Sequence, residues 1–356
     1  MSRLRIAVAG AGLIGRRHIE LVQASESCEL AAIVDPAPVA LALAANAAVP
    51  RFGSLAEMFA ASRPDGVIVA TPNHLHVDQG IACIDAGVAA LIEKPVAHSV
   101  AEGVRLRDAA ERNEARILVG HHRLHSPLLA QARRVVQDGT LGRLVAVTGS
   151  ALFYKPDGYF DEAPWRRQAG GGPILINLIH EIGNLRALCG EIVAVHALAS
   201  SATRGFPVED TVAIALRFEA GALGSFMLSD CAASARSWEQ TSQENKTYPT
   251  YPDEDCYLLA GVRGSLAIPT MRLKRYARPD ERSWWTPFET STLPVERADP
   301  LERQLEHFCA VIRGEAPPLV SVRDGLQNLR VTEAVAEAAR TGRVVGVDVD
   351  GRQAPR

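Results

Sequence analysis

The chain has 356 residues, more than one hydrophobic core usually supports, so two domains are expected. Hydrophobic residues make up 47% of the sequence and charged residues 22%, which is ordinary for a globular protein. A net charge of −3 provides no basic surface for a nucleic-acid backbone or an acidic membrane, and it argues against both as partners.

Cysteine usage and leader sequences bear on where the protein works. The six cysteines are scattered, and the missing Cys-x-x-Cys pair argues against a zinc site and a disulfide framework. Strand-like sequence begins by Leu4 without a signal-peptide pattern before it, and no apolar run is long enough to span a bilayer. We therefore expect a cytosolic protein without a metal centre.

Strands and helices alternate over the first third of the chain. Short apolar runs predict strands at 4–9, 29–34, 66–70, 89–92 and 116–120. Helical patterns fill the intervals, at about 16–24, 39–48, 54–62, 73–86 and 99–113. Ser54 is the expected N-cap of the third helix, with Glu57 at capping-box spacing. The alternation predicts an α/β Rossmann domain with a doubly wound parallel sheet, which we place at residues 1–121.

After that boundary the pattern changes. Helices are predicted at 127–137, 173–188, 300–312 and 322–340, strands at 144–153 and 193–201, and hairpins at 211–228 and 257–268. Residues 122–356 are therefore expected to form an α+β domain with a large, mostly antiparallel open sheet. The helices suffice to cover one face of that sheet. A second copy of the chain is expected on the other face, in a homodimer or homotetramer.

A glycine-rich loop separates the first predicted strand from the first helix. Residues 10–15 read GAGLIG, the G-x-G-x-x-G pattern of dinucleotide-binding folds. Gly10 allows the tight turn, Gly12 lets a pyrophosphate approach the backbone, and Gly15 lets the helix pack on the strand. Free amides at the helix start would face the phosphates. The predicted cofactor contacts in this loop are Gly10, Gly12, Leu13, Ile14 and Gly15.

Asp35 ends the second predicted strand at the usual separation from these glycines. A carboxylate in this position accepts hydrogen bonds from the adenosine ribose hydroxyls. It also repels a 2′-phosphate, and no arginine directly follows it to offset that charge. NAD is therefore the expected cofactor, with NADP disfavoured. The alternative is that Asp35 only caps a turn before Pro36.

Two polar segments leave strands at the carboxyl edge of the predicted sheet, where ligands bind in open α/β folds. One is Thr-Pro-Asn-His-Leu-His at 71–76, and the other is Glu-Lys-Pro at 93–95. Lys94 can donate hydrogen bonds to a substrate hydroxyl or carbonyl beside the nicotinamide. Its positive charge would stabilise the alkoxide that forms as hydride leaves, and Pro95 stiffens the backbone that aims it.

Several segments, spread over almost the full length, follow one another in an order and spacing typical of one oxidoreductase family. They are the glycine loop, 71–76, 93–95, 120–127, Trp165-Arg166 and the triple glycine 170–172 that leads to His180. Together they resemble the Gfo/Idh/MocA family, named for glucose–fructose oxidoreductase and inositol dehydrogenase. The resemblance implies an NAD(P)-binding domain followed by a domain for substrate binding and oligomerisation. It also implies oxidation of a sugar, cyclitol or related polyol acid, or the reverse reaction.

The resemblance assigns roles to individual residues. Lys94 and His180 would be catalytic, and His180 would take the hydroxyl proton during oxidation, a task that suits an imidazole near neutral pH. The alternative for His180 is a buried core histidine. Glu93 would contact the nicotinamide ribose. The other cofactor contacts implied by the motif match are Thr71, Pro72, Asn73, His76, Lys94, Arg123, Trp165 and Arg166.

The chain departs from the family pattern near His180. An inositol-dehydrogenase-like member carries Asp four residues before this histidine and often another three residues after it. Here these positions are Ile176 and Gly183, with Asn177 beside the first. Without a carboxylate partner, His180 would be a weaker base. The dyad of Lys94 and His180 is retained, so chemistry at this site is still expected.

Substrate contacts are expected at two places in the second domain. Tyr154 and Lys155 end a strand just before Trp165, and the loop 238–251 mixes aromatic rings with carboxylates, which suits a polyhydroxylated ring. A solvated surface excursion is the equal alternative for that loop. The expected substrate contacts are Lys94, Tyr154, Lys155, Asn177, His180 and Trp238. The histidines at 121, 122 and 125 lack a carboxylate cluster that would support a metal site.

Two other functions keep the same fold. A relative could use bound NAD for a transient oxidation that drives an elimination or a glycoside cleavage. A protein of another class could be a non-catalytic dinucleotide sensor or scaffold, although the presence of both Lys94 and His180 argues against it.

Overall fold

The computed structural model describes residues 2–278 and 280–349, and these residues divide into two compact units. The first unit comprises residues 2–125 and 300–329. The second comprises residues 126–299, with the gap at 279, and residues 330–349. The chain therefore enters the first unit twice.

The first unit is built on a parallel sheet. Within its described residues the strands are β1 (Leu4–Ala9), β2 (Cys28–Val34), β3 (Arg51–Phe52), β4 (Gly66–Val69), β5 (Ala89–Glu93) and β6 (Ile117–Gly120). They lie in the order β3-β2-β1-β4-β5-β6, and every pair is parallel. Such strands are buried on both faces, which accounts for their continuous apolar runs. This order confirms the predicted Rossmann sheet.

Helices cover the faces of this sheet. They are α1 (Leu13–Ala24), α2 (Val39–Asn46), α3 (Leu55–Ala61), α4 (His76–Asp85) and α5 (Val100–Arg112). The predicted N-cap is confirmed, because the Ser54 hydroxyl accepts a hydrogen bond from the Glu57 amide at 3.2 Å. The Glu57 carboxylate accepts from the amide of Gly53 at 2.8 Å. The helix predicted at 73–86 begins with a 3₁₀ turn over Asn73–Leu75.

The second unit contains a larger, mostly antiparallel sheet. Among the described residues its strands are β7 (Leu144–Leu152), β8 (Ile192–Ser200), β9 (Thr211–Phe218), β10 (Leu223–Ser229), β11 (Tyr257–Gly261), β12 (Gly264–Ile268), β13 (Arg272–Arg275), β14 (Glu289–Thr292) and β15 (Val345–Gly346). Their order is β14-β13-β12-β11-β7-β10-β9-β8-β15, and of these pairs β7 with β10 is parallel. Both predicted hairpins are confirmed. Sequence analysis missed β13 and β14, whose residues are short polar runs.

One face of this sheet is covered by helices and the other is exposed. The helices of the unit include α6 (Pro127–Gln137), α7 (Asp157–Asp161), α8 (Ile179–Cys189) and α9 (Trp238–Thr241). On β9, Val212, Ile214 and Leu216 are buried. On the opposite face Leu198 is 65% exposed and Met227 42%. The architecture confirms the predicted second domain class, a large and mostly antiparallel open sheet with helices.

The last two helices are α10 (Pro300–Arg313) and α11 (Val322–Thr341). α10 belongs to the first unit, where its Phe308 and Ile312 lie against Gly66 of β4. A Cβ at Gly66 would lie 2.6 Å from Ile312, so glycine lets this helix pack closely on the strand. α11 begins in the first unit and ends in the second. No described helix, the 20-residue α11 included, is both long and apolar enough to cross a membrane.

Candidate functional site

In the glycine loop between β1 and α1, side chains at Gly10 and Gly15 would collide with the backbone, whereas a side chain at Gly12 would fill open space. Gly10 has φ +94°, and a Cβ there would lie 2.5 Å from the carbonyl oxygen of Ala70. A Cβ at Gly15 would collide with the carbonyl oxygen of Gly10. Above Gly12, by contrast, a Cβ would meet no atom within 4 Å. The loop therefore presents open space beside the first amides of α1, the place where a pyrophosphate fits.

Asp35 is tied to this loop by its side chain. Its Oδ2 accepts a hydrogen bond from the Ala11 amide at 2.7 Å, and its Oδ1 accepts from the Ala37 amide at 2.7 Å. The carboxylate thus caps the turn after β2 and also anchors the glycine loop. Each oxygen keeps a lone pair for a further donor, so the contacts are compatible with a ribose diol as a third partner.

The glycine loop and three other predicted cofactor residues lie along one edge of the first sheet. Asp35 follows β2, the glycine loop follows β1, Thr71 follows β4 and Lys94 follows β5. These strands are neighbours in the order β2-β1-β4-β5, so the row spans three strand spacings, about 14 Å. An extended dinucleotide with its adenosine ribose at Asp35 would reach toward Lys94. The residues present therefore fit the cofactor that the sequence predicts.

His76 connects the two polar segments of this edge. Its Nδ1 contacts the carbonyl oxygen of Pro95 and its Nε2 that of Thr71, both at 2.8 Å. The Thr71 hydroxyl donates to Gln79 at 2.6 Å. Burial lowers the pKa of His76 below its ordinary value. Pro72 and Asn73 are exposed. His76 contacts the backbone at Thr71, the residue directly before them.

Glu93 is 5% exposed and lies one residue before Lys94. Its Oε1 is 2.8 Å from Nε2 of His18, and its Oε2 accepts from the Lys94 amide at 3.1 Å. Burial by itself would raise the pKa of this carboxyl, but the His18 hydrogen bond and the charges of His18, His122 and Lys94 hold it below its ordinary value. Sequence analysis missed His18. The available signal was a histidine on the buried face of α1.

Arg123 and the three histidines around it occupy a buried turn of the first unit. Arg123 is 3% exposed. His121 lies 3.2 Å from the Asn328 amide nitrogen, and the ring of His125 lies 5.2 Å from that of His307. Burial and the neighbouring histidines lower the pKa of His125 to about 3. Over the described residues, no group of three or more His, Cys, Asp or Glu side chains could hold a metal ion.

In the second unit, the triple glycine brings two segments together. A Cβ at Gly171 would lie 2.5 Å from the Trp165 carbonyl oxygen and 2.6 Å from the Arg166 Cα. Glycine therefore allows the 3₁₀ turn Pro164–Arg167 to pack against the start of the following helix. The Arg166 guanidinium lies 3.7 Å from the centre of the Tyr159 ring and donates to the Tyr159 carbonyl at 2.6 Å. The Trp165 side chain is 58% exposed.

Lys155 and Asn177 form a direct contact. The Lys155 ammonium donates to Asn177 Oδ1 at 2.8 Å and lies 3.6 Å from the Asp230 carboxylate. It also lies 4.9 Å from the Tyr159 ring centre. Burial lowers the pKa of Lys155 to about 8, although Asp230 acts in the opposite direction. The neighbouring Tyr154 is 59% exposed. The structure thus brings two predicted substrate contacts together.

His180 is the second residue of α8 and is 9% exposed. A π-helical turn, Ile174–Leu178, precedes this helix and carries Ile176 and Asn177. The side-chain amide oxygen of Asn177 accepts the hydrogen bond from Lys155. Glu181, the next residue of the helix, accepts a hydrogen bond from the Tyr257 hydroxyl. Glu181 and Tyr257 thus form a second polar contact in the second unit, at the residue after His180 in α8.

Trp238 lies inside the second unit. Its side chain is 3% exposed, and its indole N–H donates to Glu244 at 3.0 Å. Glu244 also accepts from the Ser126 hydroxyl. A substrate contact through this indole would require the ring to leave that packing. Tyr248 and Tyr251, farther along the same loop, are each 46% exposed.

A Rossmann sheet whose carboxyl edge suits an extended dinucleotide, followed by an α/β domain, is typical of NAD-binding oxidoreductases. The family model described as oxidoreductase family, NAD-binding Rossmann fold, matches residues 4–121. The model described as oxidoreductase family, C-terminal alpha/beta domain, matches residues 133–347. The chain belongs to this Gfo/Idh/MocA oxidoreductase family.

Relatives resemble the chain over most of its length. The rhizopine catabolism protein MocA of Rhizobium meliloti is 27% identical over 341 residues, which cover 95% of each chain. The 1,5-anhydro-D-fructose reductase of Ensifer adhaerens is 29% identical over 289 residues, 80% of each chain. The WlbA dehydrogenase of Bordetella pertussis, solved in complex with NADH and UDP-GlcNAcA, superposes with a TM-score of 0.78 at 25% identity. That match covers 98% of this chain and 100% of the other.

Proposed function

We propose that this protein is an NAD-dependent dehydrogenase that moves hydride between the nicotinamide and a hydroxyl of a sugar, cyclitol or related polyol acid. Lys94 and His180 are its catalytic groups in this proposal. The observation that carries it is the position of Lys94 at the end of β5, on the same sheet edge as the glycine loop and Asp35. His180 is assigned by the residue-by-residue match to the family pattern.

The proposed reaction divides between the two residues. Bound NAD would supply the hydride acceptor during oxidation. Lys94 would hold the reacting oxygen by a hydrogen bond from its ammonium group and stabilise the negative charge that builds there. His180 would take the hydroxyl proton, so the substrate loses that proton and a hydride and becomes a carbonyl compound. Ile176 and Gly183 occupy the two family aspartate positions, so those two positions would not supply a carboxylate to assist His180.

The substrate class is supported by the polar residues of the second unit and by the relatives. Lys155 and Asn177 would contact substrate hydroxyl or carboxylate groups, with Tyr154 beside them. One relative is named for 1,5-anhydro-D-fructose and another was solved in complex with UDP-GlcNAcA, and both names agree with a polyhydroxylated ring. A cytosolic location is proposed with it, since the six cysteines are free thiols, as in a reducing compartment.

The experiment that tests the proposal is a screen of NAD+ reduction, followed by absorbance, against sugars, inositols and sugar acids. A hit with saturable kinetics is expected. If NADH co-purifies with the protein and no compound of the panel is oxidised in net turnover, the result favours the alternative function, a transient oxidation that drives an elimination or a glycoside cleavage. Failure to bind NADH at all would refute the dehydrogenase proposal.

The cofactor preference is expected to depend on Asp35. Wild-type protein should bind NADH at least about tenfold more tightly than NADPH, because the carboxylate accepts from the ribose hydroxyls and repels a 2′-phosphate. Asp35→Asn removes the charge and should lower that ratio toward one. Fluorescence titrations with both cofactors measure it. Asp65→Asn is the matched control, since Asp65 bonds the Arg5 amide where β1 begins, away from the carboxyl edge. Tighter NADPH binding by the wild type would refute the preference.

We further propose a second copy of the chain as partner, bound through the exposed face of the second sheet. Leu198, Leu223, Met227 and Leu258 are 42% to 65% exposed there and alternate with small residues such as Ala215. A flat apolar face of this kind suits sheet-on-sheet packing. The proposal predicts a homodimer or homotetramer.

Leu198→Asp is expected to dissociate that oligomer, because it places a charge where apolar side chains would meet. Light scattering after gel filtration should show a lower mass than that of the wild type, which is the mass of one chain if the wild type is a homodimer. Leu41→Asp on α2, where Leu41 is 56% exposed, introduces the same charge outside the proposed interface and should leave the mass unchanged. An unaltered oligomer with Leu198→Asp would contradict this interface.

A further inference from the structure

A histidine and a glutamate form a buried pair beneath the cofactor edge of the first unit. The side chains of His18 and Glu93 are 1% and 7% exposed, and their Nε2 and Oε1 atoms are 2.8 Å apart. An ionised carboxylate only accepts hydrogen bonds, so the His18 Nε2 carries the proton in this contact. Removal of His18 would take away one of the hydrogen-bond donors of a buried carboxylate, which is costly.

The surroundings of Glu93 are built from separate elements of the first unit. His18 reaches it from α1, the helix that begins at the glycine loop. On the neighbouring strand β6, a Cβ at Gly120 would lie 3.0 Å from Glu93 Oε2, so glycine leaves space for the carboxylate. The charged groups that face Glu93 are His18 on α1, His122 in the turn after β6, and Lys94 on its own segment.

The second oxygen of Glu93 connects this pair to the catalytic segment. Oε2 accepts from the Lys94 amide at 3.1 Å, so one carboxylate joins α1 to the backbone that carries the lysine. A change in the orientation of the Glu93 carboxylate would therefore alter two contacts: the predicted one with the nicotinamide ribose and the one with the backbone amide of Lys94. His18 contacts that carboxylate from outside the segment.

We propose that His18 is a positioning residue: its Nε2–H fixes the Glu93 carboxylate for the ribose hydroxyls on the nicotinamide side of the cofactor and, through Glu93, the backbone of Lys94. The inference rests on the proposed cofactor role of Glu93. It adds a residue to the site that none of the motifs contains, and it links the helix of the glycine loop to the catalytic lysine.

The test is NADH binding by the full chain, without substrate, between about pH 5 and about pH 8, the range into which a buried carboxyl can shift. In the wild type the lowered pKa of Glu93 keeps it ionised, so its charge adds no pH dependence there. His18→Leu removes the main hydrogen bond, and burial then raises the pKa of Glu93. NADH binding should weaken about tenfold at neutral pH and further as the pH falls.

Two further variants separate positioning from a packing defect. His18→Gln keeps an amide N–H near the Nε2 position and should recover most of the lost affinity. The double variant His18→Leu/Glu93→Gln lacks the titrating carboxyl, so the pH dependence should disappear. His98→Leu, at an exposed histidine of the first unit, is the matched control and should bind NADH as the wild type does.

Unfolding of the cofactor-free protein provides a readout that is independent of NADH. His18→Leu and the double variant differ only at Glu93. In His18→Leu the pKa of Glu93 is raised in the folded state, so at some pH values the folded protein holds a proton that the unfolded chain has released. The free energy of unfolding of this single variant should therefore fall as pH rises, relative to that of the double variant.

The outcomes are distinct. The positioning role is supported if the NADH affinity of His18→Leu falls at acid pH and this pH dependence disappears in the double variant. Recovery of the affinity in His18→Gln is the third supporting result. A pH-independent loss in His18→Leu, or no loss, overturns it. Wild-type protein that binds NADH but oxidises no polyol overturns the proposed substrate class and leaves this inference standing.

Discussion

Lys94→Ala is expected to lower kcat for polyol oxidation by about 10²- to 10³-fold, a larger effect than any loss of affinity for NADH. In the proposed mechanism the ammonium group acts on the reacting oxygen, where negative charge develops, and this interaction would strengthen in the transition state. Steady-state kinetics with the best substrate of the screen give kcat, and NADH titration gives the affinity. The two measurements together separate a catalytic defect from a lost cofactor site.

Variants of matched charge sharpen this prediction. Lys94→Arg keeps a cation but replaces a compact ammonium by a planar guanidinium that holds its proton, so its kcat should stay far below that of the wild type. Lys274→Ala removes an exposed lysine of β13 and should leave both quantities unaltered. If Lys94→Ala retained most of the wild-type kcat, the assignment of Lys94 would be wrong.

His180→Asn is expected to lower kcat for oxidation by about 10²- to 10⁴-fold near neutral pH, because the hydroxyl proton then has no imidazole to accept it. The defect should shrink as pH rises, since hydroxide from solvent can take over part of that task. The measurement is kcat against pH for wild type and variant. Unchanged NADH affinity would show that the first unit is intact.

The combined variant tests whether the two residues act on one reaction. Residues that act as a unit give non-additive losses, so Lys94→Ala/His180→Asn should cost far less than the product of the single effects. His98→Asn is the control for loss of an imidazole at the surface. A His180→Asn protein with a wild-type pH profile would assign His180 to packing in the second unit.

Predictions that rest on local geometry succeeded in the first unit. The position of Gly10 is set by its backbone, because φ +94° and the close Ala70 carbonyl exclude a side chain. The N-cap Ser54 and the parallel direction of the strands follow in the same way from turn chemistry and from the alternation of strands with helices. Such constraints act over a few residues, so they can be read from the order of residue types.

Contacts between distant residues could not be read in that way. His18 and Glu93 are 75 positions apart, and neither residue type predicts the other as its partner. The same is true of Lys155 with Asn177, and of Trp238, whose aromatic ring gave no sign that it would be buried against Glu244. β13 and β14 escaped detection because their polar runs pair at a sheet edge.

The sequence by itself determined the two kinds of sheet, the glycine loop, the carboxylate after β2 and the lysine after β5, because each depends on local backbone limits or on the ends of parallel strands. The tertiary structure alone decided which side chains support that edge. It placed α10 on the first sheet, engaged Asn177 with Lys155 and set His18 against Glu93. These partners depend on how separate elements pack, and packing follows from side-chain shape and burial over the whole unit.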